Sequence, residues 1–83
     1  MPSMNGPILG KSRVVDIRQT IKAVESEKAC KVYIAEDAKI RIIENLKKLC
    51  ESKGVEVIFV NSMAELGKAA GIERGASVVV ILK

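Results

Sequence analysis

Val78-Val79-Val80-Ile81-Leu82 is an unbroken run of branched apolar side chains. A strand with one wet face alternates apolar and polar residues. A strand that is apolar at every position must be covered on both faces. The segment "SVVVILK" therefore calls for a sheet with helices above and below it.

The rest of the chain supplies both kinds of element in alternation. Arg13 to Val15 fits a short strand. Ile17, Ile21 and Val24 then recur at spacings of four and three, the apolar stripe of a helix that fades near residues 26–28. "CKVYIAED" reads as a strand, with Val32 and Ile34 on one face and Lys31 and Tyr33 on the other. Asp37 has the chemistry of an N-cap for a helix over about residues 38–52, whose buried stripe is Ile42, Ile43, Leu46, Leu49 and Cys50. Lys53-Gly54 ends it, with glycine free to turn left-handed. "VEVIFV" is the next strand. Ser62 and Glu65 form a capping box for a third helix that presents Met63, Leu66 and Ala70 inward and stops at Gly71. "GIERGA", residues 71–76, is a turn with a glycine at each end.

Strand and helix thus alternate throughout, with short connections. The predicted fold is α/β: a three-layer α/β/α sandwich around a central mixed sheet of about four strands. Residues 10–83 form one domain, and residues 1–9 a flexible segment broken by Pro2, Gly6 and Pro7.

Composition narrows the chemistry. The chain has 83 residues, 48% of them hydrophobic, and its only aromatics are Tyr33 and Phe59, so the core is aliphatic. The net charge of +4 suits a phosphate-rich partner. There is no histidine, which removes the commonest general base. Cys30 and Cys50 stand alone, without a CxxC or Cys/His cluster, so no metal site is expected. Both lie in apolar patterns and read as reduced core residues of a cytoplasmic protein. No apolar stretch is long enough to cross a bilayer. Neither a cofactor nor a small-molecule substrate is implied, and the expected state is a monomer.

The start of the first helix crowds Asp16, Arg18, Gln19, Thr20 and Lys22 together, with Lys11 and Arg13 just before them. A helix N-terminus offers free N–H groups and a partial positive charge, where phosphate can sit. Arg18 and Lys22, four apart, repel by roughly 0.2–0.5 kcal/mol, a mild cost that a purely structural helix avoids. A structural reading stands beside this one. Asp16 and Gln19 make a capping-box-like pair, and Thr20 and Lys22 are then ordinary surface residues. Glu36 and Asp37 likewise suit capping. "GIERGA" carries neither a dinucleotide fingerprint nor a phosphate-loop lysine.

"RQTIKAVE", "KVYIAEDA", "LCESKGVEVIFV" and "ELGKAAGIERGASVVVI" occur in this order. The ordered set resembles the ribosomal protein seven-Ae family, including its thirty-e branch, over about residues 10–82, and the short chain is most similar to bacterial members. The resemblance implies a non-enzymatic protein that binds kink-turn RNA, a sharply bent helix with a three-nucleotide bulge and tandem sheared G·A pairs, in ribosomal or riboswitch RNA. It implies that Asp16, Ile17, Arg18, Gln19, Thr20 and Lys22 lie where the family reads the guanines. Glu36 and Asp37 match its acidic turn. Ile72, Glu73, Arg74, Gly75 and Ala76 match the loop that covers the bulge nucleotides. Guanine O6 and N7 accept from lysine or arginine, and carboxylates accept from base N–H groups. The kink matters because the major groove of regular A-form RNA is too narrow to enter.

Two residues depart from the family pattern. Asp16 stands where glycine is usual, and Arg74 where valine is frequent in bacterial sequences. A carboxylate about 4 Å from a phosphate costs from ~1 kcal/mol in water to ~4 kcal/mol at intermediate dielectric. Asp16 thereby motivates an alternative: the same fold turned to a protein partner or another RNA shape, with weakened kink-turn affinity.

Overall fold

The structure, a computed structural model, describes residues 13–83. The expected segment 1–9, and Lys11 with it, lie outside the described residues. The element order is β1 (Arg13–Val14), α1 (Ile17–Glu25), β2 (Ala29–Ala35), α2 (Ile40–Lys53), β3 (Glu56–Val60), α3 (Met63–Ala70) and β4 (Val78–Leu82). The strands form one mixed sheet in the order β1-β4-β2-β3. β2 and β3 run parallel, and β4 is antiparallel to both β1 and β2.

Alternation along the strands sorts the core into two layers, because successive side chains point to opposite faces. Val32, Ile34, Val78 and Val80 face α1 and α2, and pack with Val24, Leu46 and Cys50. Tyr33, Ala35, Val79 and Ile81 face α3, and pack with Leu66 and Ala70. β4 is buried from Val78 to Ile81 because it has a strand on each side and helices over each face. The α/β/α sandwich and its four-stranded mixed sheet are therefore as the sequence indicated.

All three helices close in the same way. At the end of α2, Val55 N–H donates to the Cys50 carbonyl and Gly54 N–H to that of Glu51, with Gly54 at φ 70°. At the end of α3, Ile72 donates to Gly67 and Gly71 to Lys68. At the end of α1, Lys28 donates to Ala23 and Glu27 to Val24. This paired pattern needs a left-handed residue just past the helix. In α1 that residue is Glu27, at φ 59°, where a side chain crowds the following carbonyl.

Two sequence expectations change, and Arg13 takes a partner that its place before α1 does not indicate. Cys30 is exposed, not core; it sits at the register shift between Ala29 and Lys31, where a bulged residue is left out of the ladder. Asp37 does not cap α2. The residue flanking α2 is Lys39, with no side-chain cap hydrogen bond, because a tight turn from Ala38 N–H back to the Ala35 carbonyl intervenes. Arg13 does not face the start of α1; its Nε donates to the Ala70 carbonyl at 2.7 Å, at the last turn of α3.

Candidate nucleic-acid interface

Strand directions decide which loops meet. β2 and β3 both end at one edge of the sheet, with Ala35 opposite Val60. Antiparallel β4 begins there, with Val78 opposite Ile34. β1 leads to the same edge, since Val14 lies opposite Val80 and the chain then climbs through Val15 to Asp16. The start of α1, the 36–37 turn, the start of α3 and the 72–76 loop are thus gathered at one end of the domain.

Asp16 adopts extended backbone, φ −89° and ψ 131°, which lets its side chain fold back over the helix it precedes. Its Oδ1 accepts the N–H of Arg18 at 3.0 Å. Arg18, Gln19 and Lys22 are exposed, while Ile17 is half-buried in the core layer beneath α1. These exposed groups crown a helix end whose first amides have no partners within the helix.

Thr20 differs from both of its sequence readings. It is fully buried, and its hydroxyl donates to the Asp16 carbonyl at 2.9 Å. The 3.6-residue period turns position 20 inward beside Val24 and Ala23, so its hydroxyl is satisfied internally and does not reach solvent.

The acidic turn splits into two roles. Glu36 is exposed and is held by its own N–H donating to the Val60 carbonyl at 2.8 Å. Asp37 directs Oδ1 to the N–H of Met63 at 2.7 Å. Ser62 Oγ accepts the N–H of Glu65 at 3.1 Å. Two side chains therefore satisfy two amides of the first turn of α3, one of them supplied from another loop.

The 72–76 loop runs back along α3. Ala76 N–H donates to the Met63 carbonyl at 3.0 Å. Glu73, Arg74 and Gly75 are exposed and Ile72 is half-buried, but Ala76 is buried in the second core layer. Ala76 anchors the loop and does not offer its side chain outward. Gly67, a residue the sequence patterns do not single out, lies under this loop. A Cβ there would overlap the Arg74 carbonyl oxygen and approach Gly75 Cα to 3.1 Å. The available signal was a glycine inside a helical pattern, at a cost of roughly 1 kcal/mol relative to alanine.

Among the described residues no group of three or more His, Cys, Asp or Glu side chains could hold a metal ion, and no helix is long and apolar enough to cross a membrane. Every buried side-chain nitrogen or oxygen among them has a hydrogen-bond partner. The assembled surface thus combines exposed cations and amides with the exposed carboxylates of Asp16, Glu36 and Glu73.

Comparison with known proteins gives a consistent result. An RNA-binding protein of Caldanaerobacter subterraneus, TTE2299, is 43% identical over 65 residues, covering 78% of this chain and 79% of that protein. The large ribosomal subunit protein eL8 of Halobacterium salinarum is 40% identical over 65 residues, covering 77% of this chain and 54% of that one. The solved structure of a Giardia lamblia 15.5kD RNA binding protein superposes with a TM-score of 0.81 at 34% identity, covering 87% of this chain and 61% of that chain. The model of the ribosomal protein L7Ae/L30e/S12e/Gadd45 family matches residues 11–83. This chain belongs to that family.

Proposed function

We propose that this protein binds RNA, and that its preferred target is a kink-turn, read through tandem sheared G·A pairs and an adjacent bulge. The observation that carries the reading is the gathering of Arg18, Gln19, Lys22, Glu36 and the 72–75 loop at one end of the sheet. Relatives described as RNA-binding support it. Arg18, Gln19 and Lys22 donate to guanine O6 and N7 and to phosphates in the opened groove. Glu36 accepts from base N–H groups. Asp16 and Ile17 bring the backbone of the helix start to the RNA. Ile72 supplies the apolar surface for an unstacked bulge base, flanked by Glu73, Arg74 and Gly75. Thr20, Asp37 and Ala76 hold these parts in place from behind. No covalent chemistry is assigned: the protein acts by binding, in the cytoplasm and as a monomer.

The test is a calorimetric or gel-shift titration against a standard kink-turn and against the same RNA with its sheared pairs replaced by Watson–Crick pairs. Binding should favour the kink-turn by at least about tenfold, a difference of ~1.4 kcal/mol. Equal affinity for the two RNAs removes the kink-turn assignment, and absence of binding to either at low salt removes the RNA reading. A second reading follows from the Asp16 carboxylate at the helix start: recovery of a protein partner after nuclease treatment, together with no RNA binding, would favour it.

A further inference from the structure

We infer that α3 is the gauge that sets the distance between the 36–37 turn and the 71–76 loop, with Gly67 and Asp37 as its positioning residues. This rests on the RNA reading above for its consequence in binding, though not for its geometry.

The geometry has two ends. At the amino end of α3, Asp37 reaches across from the β2–α2 turn and accepts the Met63 N–H at 2.7 Å. The carboxylate also faces the positive pole of the helix. The turn that presents Glu36 is thereby tied to α3. Further along, the 71–76 loop lies flat on the same helix. Ile72 N–H donates to the Gly67 carbonyl at 3.0 Å, and Ala76 N–H to the Met63 carbonyl at 3.0 Å. Between these two bonds the backbone passes directly over Gly67. A Cβ at position 67 would overlap the Arg74 carbonyl oxygen, with the Arg74 carbon at 3.0 Å and Gly75 Cα at 3.1 Å. All three are backbone atoms, so rotating a side chain gives no relief. Gly75 lies over the helix start less tightly, where an added Cβ would come within 3.2 Å of Met63 Cβ. Gly67 is thus kept against the local preference of a helix for alanine, because the loop backbone occupies the space of a side chain.

Alanine at 67 must lift the segment that carries Ile72, Glu73 and Arg74, while β4 beyond it stays in the sheet. Removing the Asp37 acceptor frees the turn at the other end. Neither residue needs to touch RNA for affinity to change, since a binding site must be held within about 0.5 Å of its productive geometry for its contacts to form.

The experiment uses Gly67→Ala, Asp37→Ala and Asp37→Asn in the full chain, each checked for native circular dichroism. Without RNA, amide spectra of Gly67→Ala should show Ile72 and Ala76 shifted and less protected from exchange, with residues 78–82 unchanged. An undisturbed loop overturns the gauge whatever the RNA result. With a standard kink-turn, Gly67→Ala should bind about tenfold more weakly than the unsubstituted protein. That loss should shrink to about twofold when the bulge bases are made abasic, because the displaced loop then has nothing to cover. Asp37→Ala should lose affinity and Asp37→Asn should restore most of it, because Asn keeps an acceptor for Met63 N–H. Asn behaving like Ala would mean that the carboxylate charge, and not the hydrogen bond to Met63 N–H, carries the effect, and overturns the positioning role assigned to that bond. Unsubstituted protein that fails to bind sinks the RNA reading and the binding half of this inference. Unsubstituted protein that binds, with Gly67→Ala its equal on both RNAs, overturns the inference alone.

Discussion

Asp16 Oδ1 accepts the N–H of Arg18 at 3.0 Å, so one residue both caps α1 and places a carboxylate at the mouth of its amide-rich end. The two effects have opposite signs. As a cap, Asp16 stabilises the helix, though glycine in its place costs only a few tenths of a kcal/mol. As a charge, it would repel a phosphate held about 4 Å away by ~1 kcal/mol in water and more where solvent is excluded. Asp16→Gly should therefore bind a kink-turn roughly fivefold or more tightly, with its melting temperature slightly lowered. Parallel titration and thermal melts check both. Unchanged affinity would place Asp16 off the interface.

Arg18, Lys22 and Arg74 are exposed cations on the segments assigned to the RNA. If all three neutralise phosphates, log K should fall against log salt with a slope of roughly −2 to −3. Arg18→Ala should reduce that slope by about 1, whereas Lys47→Ala on the outer face of α2 should leave it alone. Equal slopes in both variants would mean that the cations act only through the overall field.

The two thiols should separate cleanly. Cys30 is exposed at its bulge and Cys50 is buried on the core-facing side of α2, where burial pushes its thiol above the ordinary value. A thiol reagent at neutral pH should label Cys30 rapidly and Cys50 only as the protein unfolds, because the thiolate is the reactive form. The raised value also has a sign for stability. The folded state keeps the Cys50 proton longer than the unfolded state does, so this contribution is complete below the ordinary thiol value and is lost as pH rises through the raised one. Equally fast labelling of both cysteines in the folded protein would contradict the burial of Cys50.

Glu27 occupies the left-handed position after α1, at φ 59°, where Gly54 and Gly71 serve the other two helices. A left-handed residue with a Cβ costs roughly 1–2 kcal/mol, and glycine gives part of this back as extra freedom in the unfolded chain. Glu27→Gly should raise stability by up to about 1 kcal/mol, or about 4–8 °C in melting temperature for a domain of this size. A melt that moves downward would show that the Glu27 side chain stabilises in another way.

Local patterns carried the architecture. The alternation in Lys31 to Ile34 and the solid apolar run of β4 gave the sheet, and Gly54 and Gly71 gave two helix ends. Such signals lie within a few residues and need no knowledge of partners. What was not legible depends on residues far apart in sequence. Asp37 looks like the cap of the helix that follows it, yet it meets Met63, 26 residues away. Thr20 looks like surface until α1 is laid on the sheet, which turns it inward. Cys30 sits in an apolar strand pattern, and only the register of β2 against β4 puts it outside. Gly67 is a mere interruption of a helix until the 71–76 loop is seen to cross it.

The most direct measurement of the binding surface is a titration of isotopically labelled protein with a kink-turn RNA, followed at each backbone amide. The largest changes should fall at residues 16–19, 22, 36 and 72–75, at one end of the sheet, with β3 and the outer face of α2 nearly silent. Changes centred instead on Ile40, Ile43 and Phe59, with the start of α1 unmoved, would contradict the account.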